Sequence, residues 1–418
     1  MKRQQGQAPS IASAALLAVG LVTVASGQEA VRMSMASAEA AEARRRAATT
    51  TDYYNLKLGP TAWRFRTALG LEYNDNAGNA QDNPEADFIF RPQVNTQLLW
   101  PVSEKNSINL NLGAGYSAYV QHPELSRYFI TPNSELSFDI YAGDFWINLH
   151  DRVSVTEDSY LDPTVAGTGN YSLFENTLGV STLWDLNKVV LRSGYDHANS
   201  SVLSGNQGRP DGQSELFSFS AGYAPKPRVL LGVELGGALL QYSGANTLYS
   251  DARQWNVGGF YETQISEYVD FTGHAGYTVY SPQSSGGTVP GDDFGGMYAQ
   301  LALTHRISRY VDQSLAGSRT IQTALLGGTV DMYSFSWRAN WRVIRKTSLS
   351  TSFVYNHGSQ VSPGSETFDQ YGPQIGLGWR LGEKLSTSLG YQFYWRSSNE
   401  SGREYSVNIV SLGFSYTF

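Results

Sequence analysis

Five arginines, Arg64, Arg66, Arg306, Arg342 and Arg380, stand where they could gather an anion, and the aromatics Tyr119, Tyr141, Trp146, Tyr242 and Tyr394 could stack on sugar rings. A cluster of cations at a pore mouth sets selectivity and concentrates counter-ions. A second reading pairs the same arginines with Glu72, Asp139, Glu234, Glu262 and Asp270 in structural ladders, which contribute little to selectivity. The aromatics, with Phe260 and Tyr280 beside them, have a second reading too, because inward tyrosines fill space and hydrogen-bond in any closed sheet.

Catalytic chemistry finds less support. His122, His150, His197, His274, His305 and His357 are the six histidines, and local spacing places no nucleophile beside any of them. A nucleophilic mechanism needs a hydroxyl or thiol, a base and an orienting group within reach. There is no H-E-x-x-H pair and no Gly-rich phosphate loop. The stretch NDNAGNAQDNPEAD, Asn74 to Asp87, offers hard oxygen ligands for Ca²⁺ without the spacing of a defined loop. Cysteine is absent, which excludes disulfides, thiolate metal sites and a lipid-anchored cysteine. No enzyme activity, cofactor or metal is expected, and the acidic balance disfavours nucleic acid.

What positions these side chains is a period of two that begins at Thr61 and persists to the end of the chain. Trp63, Phe65, Leu69, Leu71 and Tyr73 alternate with Arg64, Arg66, Ala68, Gly70 and Glu72. Phe88, Phe90, Val94, Leu98 and Trp100 do so with Arg91, Gln93, Asn95 and Gln97. Tyr333, Phe335, Trp337, Ala339 and Trp341 face away from Ser334, Ser336, Arg338, Asn340 and Arg342. The stretch from Asp312 to Gly328 is ambiguous in phase.

Composition narrows the class. Of 418 residues only 16% are charged against 13% aromatic, with 42 glycines, 26 tyrosines and a net charge of −7. Soluble domains carry ~25% charged residues, and a helical membrane protein would show several apolar spans of ~20 residues. The one apolar run, Ile11 to Val24, follows Lys2 and Arg3 and precedes Ala25-Ser26-Gly27. That is the pattern of a secretory signal over residues 1–27. Residues 28–60, rich in Ala, Glu and Arg, read as a short helical or unstructured periplasmic leader, and residues 61–418 as one domain.

Connections alternate in length along that domain. Ala142-Gly143-Asp144, Asp185 to Lys188, Ala224 to Pro227, Gln264 to Glu267 and Leu381 to Lys384 are short. Asn74 to Ala86, Ser204 to Gln213 and Ser281 to Asp293 are long and polar. Trp63, Trp100, Trp184, Trp341, Trp379 and Trp395 fall near strand ends, where aromatic girdles meet headgroups. In hydrocarbon a sheet must close on itself to satisfy its backbone. The expected fold is therefore all-β, a transmembrane antiparallel up-and-down barrel of about 18 strands (16–18) with short periplasmic turns and long extracellular loops. With the N-terminus in the periplasm, the five arginines lie near the periplasmic mouth, and the outer loops are acidic, as at Glu157, Asp158 and Glu366. Such carboxylates are either solvated or bridged by cations to lipopolysaccharide phosphates.

The chain ends on SLGFSYTF, with Leu412, Phe414, Tyr416 and Phe418 at alternate positions. This resembles the terminal strand of bacterial outer-membrane barrels, and the resemblance implies that the barrel-assembly machinery reads these four residues. LGLEYNDNAGN, from Leu69, and DFIFRPQV, from Asp87, resemble the opening of the putative β-barrel porin family tied to exopolysaccharide gene clusters, mainly through Tyr73-Asn74-Asp75-Asn76. That likeness implies an outer-membrane conduit for an exopolysaccharide or related polymer. A general or solute-selective uptake porin, and a structural or adhesive barrel with a plugged lumen, remain the alternatives, with a polysaccharide or a small anionic solute as the partner.

Overall fold

The computed structural model describes residues 54–158, 161–164, 166, 172–204, 211–243, 251–283, 293–323, 329–362 and 365–418. The expected signal at 1–27 and most of the leader lie outside them. The described residues form one antiparallel sheet of 19 strands, eighteen of which close a barrel. The extra one is β1 (Leu56–Leu58), which folds back on the start of β2 (Thr61–Asn74) with Leu56 opposite Trp63. The leader thus ends in a hairpin strand rather than a helix or coil. Gly59, at φ 57°, supplies the left-handed residue its turn requires.

From β2 the chain runs up and down through β3 (Asp87–Pro101), β4 (Ser107–Tyr119), β5 (Arg127–Ala142), β6 (Phe145–Thr156) and β7 (Ser172–Asp185). It continues through β8 (Val189–Ser204), β9 (Gly212–Lys226), β10 (Val229–Tyr242), β11 (Ala252–Ser266), β12 (Val269–Pro282) and β13 (Phe294–Ser308). The circuit finishes with β14 (Val311–Thr323), β15 (Thr329–Ile344), β16 (Thr347–Ser362), β17 (Thr367–Arg380), β18 (Leu385–Ser398) and β19 (Tyr405–Thr417). Each strand pairs with its sequence neighbour, and β19 pairs with β2. Thr61 opens the first strand of the closed circuit.

Paired residues share a face, so the outward rows can be followed around the wall. Phe88, Phe90, Val94, Trp100, Trp184, Trp341 and Phe414 are exposed on the outside, as lipid-facing side chains must be. β14 explains the ambiguous stretch, for its outward positions include Gln313 and Arg319 among Val311, Leu315 and Gly317. Inside, apolar packing gathers near the loop ends of the strands: Tyr394, Tyr405, Val407 and Ile409 form one cluster, and Leu216, Leu240 and Tyr280 belong to another.

The seam between β19 and β2 holds Leu412 opposite Leu71, Phe414 opposite Leu69 and Tyr416 opposite Thr67, and the Phe418 amide donates to the Phe65 carbonyl at 3.3 Å. Its ladder covers nine residue pairs, from Ile409 to Thr417. The Tyr73-Asn74-Asp75-Asn76 stretch extends the joint beyond the ladder. Asp75 accepts from the Asn408 amide at 2.6 Å and from its side chain at 2.7 Å, while Asn76 Nδ2 donates to the Ser406 carbonyl at 3.1 Å.

Candidate channel constriction

The lumen is divided by a loop and by two unlike walls. The loop leaves β6 at Thr156, and its described residues cross inward. Three lumen-side carboxylates gather on Arg91 of β3: Glu157 at 2.6 Å, Asp158 at 2.8 Å and Glu72 of β2 at 3.5 Å. The Ser117 hydroxyl of β4 donates to Glu157 as well. One guanidinium thus answers three carboxylates in a site where the Glu157 side chain is 3% exposed. Burial pushes the Glu157 carboxyl up to about 7, and the neighbouring Asp158 adds to the shift that Arg91 opposes.

Further on, the loop lies against the inner face of β18 and β19. Asp162 accepts from the Thr164 amide at 2.8 Å and its hydroxyl at 2.7 Å, closing a local turn around Pro163. Leu161 packs on the cluster of Tyr394, Tyr405, Val407 and Ile409. Arg396 of β18, fully buried, donates to the Pro163 carbonyl at 3.0 Å, the Arg403 carbonyl at 2.7 Å and Glu366 at 2.7 Å. Its guanidinium stands 4.4 Å from the centre of the Phe368 ring, a favourable desolvated cation–π contact. Arg403 donates to the same carboxylate at 2.8 Å and to the Thr164 carbonyl at 2.9 Å. Burial acts to raise Glu366, and Arg396, Ser398 and Arg403 outweigh it, holding this loop carboxyl below its ordinary range.

The wall from β5 to β12 is charged and internally paired. Asp139 accepts from Trp146, Asn148 and Asn109, at 3.1, 2.8 and 2.9 Å. His150 meets Asp196 at 2.7 Å, with the strand between them carrying Gly179. A Cβ there would stand 2.7 Å from His150 Nε2 and 2.8 Å from the Tyr195 carbonyl, so glycine leaves the room this bond uses. Glu234 takes His274 at 2.7 Å and Tyr298 at 2.6 Å, and Arg192 holds Glu262 at 2.7 Å.

The opposite wall, from β13 round to β19, is lined by small and neutral side chains such as Ser314, Ser336, Ser348, Ser350, Ser388 and Ser411. From it project Arg306, Arg338, Arg342 and Arg380, all exposed, and among the described residues none of them forms an ion pair. The acids suggested as their partners are engaged elsewhere at four of five positions: Glu72, Asp139, Glu234 and Glu262 bind the groups named above.

The sequence-predicted residues are therefore brought together only in part. Arg306, Arg342 and Arg380 lie at the turn ends of β13, β15 and β17, and Arg64 and Arg66 near the start of β2 on the same rim. The aromatics do not line up along one wall. Tyr141 and Trp146 adjoin at 6.4 Å near the turn end of β5 and β6, Tyr242 packs against the Leu216 cluster at the loop end of β10, and Tyr394 lies beneath the β6–β7 loop. Tyr119 lies beside the Arg91 hub. Leu412, Phe414 and Tyr416 are on β19 facing outward, with Phe418 just past its end. Arg396 and Arg403, the second anchor of the loop, escaped sequence reasoning. The two acceptors that tie them to the loop, the Pro163 and Thr164 carbonyls, are backbone atoms far away in the chain and leave no pattern in side-chain types. Among the described residues no group of three or more His, Asp or Glu could hold a metal ion.

A family model described as putative beta-barrel porin 2 matches residues 63–418. Solved structures share the fold at low identity. A BenF-like porin from Pseudomonas fluorescens Pf-5 is 9% identical with a TM-score of 0.50, over 86% of this chain and 100% of that one. OccK2 (OpdF) from Pseudomonas aeruginosa, solved in complex with glucuronate, is 10% identical with a TM-score of 0.50, over 85% of this chain and 98% of that one. No curated protein matches the sequence.

Proposed function

The chain belongs to the putative beta-barrel porin 2 family, and from that premise we propose that this outer-membrane porin-like channel passes small hydroxylated solutes that carry a carboxylate. The observation that carries the reading is the wall from β13 to β19, where Arg338, Arg342 and Arg380 stand exposed without an ion pair among the described residues, amid small hydrogen-bonding side chains, and Arg306 stands across the ladder from Asp312. An unpaired guanidinium offers a planar fork of donors that fits a carboxylate bidentately. Ser314 and Ser352 lie directly across the sheet from Arg338, and Ser352 donates onward to Gln374 at 3.1 Å, so hydroxyl contacts surround the cation. A solute held by one charge and several weak polar contacts can bind and leave, as conduction requires.

The β6–β7 loop favours a small solute. Its anchors at Arg91 of β3 and Arg396 of β18 hold chain inside the lumen. A polymer conduit, the role implied by the exopolysaccharide resemblance, is the second reading, and the aromatics that would guide a saccharide are scattered rather than continuous. The test is ion current across planar bilayers. Wild-type channels should prefer anions and show current blockades with glucuronate, chosen as a hydroxylated carboxylate. Arg338→Ala with Arg342→Ala and Arg380→Ala should shift the reversal potential toward cations and shorten the blockades. An unchanged reversal potential overturns the arginine assignment, and long blockades by oligosaccharides alone would favour the polymer.

A further inference from the structure

Charged side chains on the outside of the barrel are unexpected, because a charge facing lipid at mid-bilayer costs about 2–4 kcal/mol. Yet a row of them crosses four neighbouring strands. Arg319 on β14 lies opposite Tyr333 on β15, Tyr333 opposite His357 on β16, and His357 opposite Asp369 on β17. The row just nearer the turns is wholly aromatic: Phe335, Tyr355, Tyr371 and Trp395 lie opposite one another in order, with Tyr371 5.0 Å from Tyr355 and 5.3 Å from Trp395. Such rings mark the edge of the hydrocarbon. The charged row lies one step beyond them toward the long loops, at the depth of the outer-leaflet headgroups.

Within the row, the carboxylates are consumed and nitrogen donors are left over. Asp331 takes Arg319 Nε at 3.1 Å and Nη2 at 2.9 Å, which leaves Nη1 without an acceptor among the described residues. Asp369 takes the Tyr355 hydroxyl at 2.7 Å and His357 Nδ1 at 2.9 Å, and Nε2 of that ring has no partner among them either. Tyr333 sits between the two, 5.2 Å from the Arg319 guanidinium and 6.2 Å from the His357 ring. The side chains of Arg319 and His357 are each 33% exposed.

The same pattern recurs almost across the barrel. Tyr195 and His197 on β8, again two residues apart, both bind Glu215 on β9, at 2.6 and 2.8 Å. His197, Glu215, Leu239 and Arg253 form the cross-strand row, outside a row holding Tyr195, Phe217 and Trp255. Two separate copies of a Tyr-x-His pair on a facing carboxylate, each sharing its row with an arginine, argue for a common ligand at that depth.

We propose that these rows bind the phosphate groups of outer-leaflet glycolipids, with Arg319 and His357 as the donors of one site and His197 and Arg253 as those of the other. The carboxylate on Nδ1 fixes each ring, and in the imidazolium form Nε2 is a second donor. Phosphate, with strong acceptor oxygens, matches donors already fixed by their own partners. The lipid, rather than a free anion, is the occupant because the row faces the bilayer and not the lumen.

Native mass spectrometry of the full barrel, extracted from vesicles containing a diphosphorylated diglucosamine lipid, tests this. Wild type should retain that lipid and lose it with its enzymatically dephosphorylated form. The neutral exchange Arg319→Gln with Asp331→Asn, combined with His357→Gln, should lower the fraction of barrels carrying two lipids about tenfold while one-lipid barrels persist through the second site, with unit conductance and heat-modifiable mobility unchanged. His357→Gln alone keeps the question answerable if the combined variant does not insert, and should give a partial loss. Retention equal to wild type in either variant overturns the proposal, as does equal retention of the dephosphorylated lipid. Displacement of the lipid by millimolar inorganic phosphate would make the site one for free anions and also overturn it.

Discussion

Replacing Arg91 with glutamine removes the cation that bridges Glu72, Glu157 and Asp158 at the root of the inward loop. Glutamine keeps length and some hydrogen bonding but leaves three carboxylates within reach of one another. Removing one partner of a buried ion pair costs about 3–5 kcal/mol. The Arg91 side chain is 17% exposed and the lumen is wet, so we take about 2–3 kcal/mol, which shifts the balance between seated and released loop roughly 30- to 150-fold. Glu157 makes the effect depend on pH. Its carboxyl titrates near 7 even beside Arg91, and losing that cation raises it further, so at pH 5.5 a bound proton relieves part of the repulsion. At pH 8 nothing does. Single-channel recording of Arg91→Gln should therefore show a larger and noisier open current at pH 8, moving back toward wild type at pH 5.5, with normal heat-modifiable mobility. A conductance and noise equal to wild type at both pH values would refute the assignment of Arg91 as the tether.

Phe414→Lys places a charge on the outward face at a residue paired with Leu69 across the seam; at about 2–4 kcal/mol insertion should fall sharply, as read by the heat-modifiable fraction in outer membranes. Gly179→Val fills the space between His150 and Asp196, and overpacking of that kind destabilises by about 1–3 kcal/mol, visible as a lower thermal unfolding midpoint in detergent. His122 bridges two outer loops, binding Asp87 at 2.9 Å and Glu85 at 2.8 Å, and the Asp87 contact leads in holding its imidazolium above the ordinary 6.5. A raised histidine stabilises below its unfolded value and loses that contribution as pH climbs through the folded one, so proteolysis of those loops should quicken from neutral to mildly alkaline pH. Histidine-to-glutamine exchange at His122 should flatten that dependence.

The barrel was legible because one physical rule, alternation between a lipid face and a lumen face, acts on nearly every residue from Thr61 onward. Where the rule is broken, the reading lost its phase: Gln313 and Arg319 point outward on β14, and their neighbours supply the reason, since Trp337 donates to Gln313 at 3.3 Å and Asp331 pairs with Arg319. Strand direction alone placed Arg306, Arg342 and Arg380 on the turn-side rim. That they lack carboxylate partners was not legible, because Glu72, Glu234 and Glu262 are drawn to Arg91, His274 and Arg192 by a strand register that residue types do not encode. The inward loop was equally hidden. Its anchor at Arg396 reads the Pro163 carbonyl across 233 residues of chain, and any residue type could have supplied that acceptor.

The joint between β19 and β2 differs from every other in the wall, for its halves lie at opposite ends of the polypeptide. Every other hairpin can zip as soon as its second half arrives, but this one waits for the whole chain. Asp75 and Asn76, close behind the opening strand, reach across to Asn408 and Ser406 near the finish. A chain cut short during synthesis would carry an unfilled clasp and an open ribbon edge.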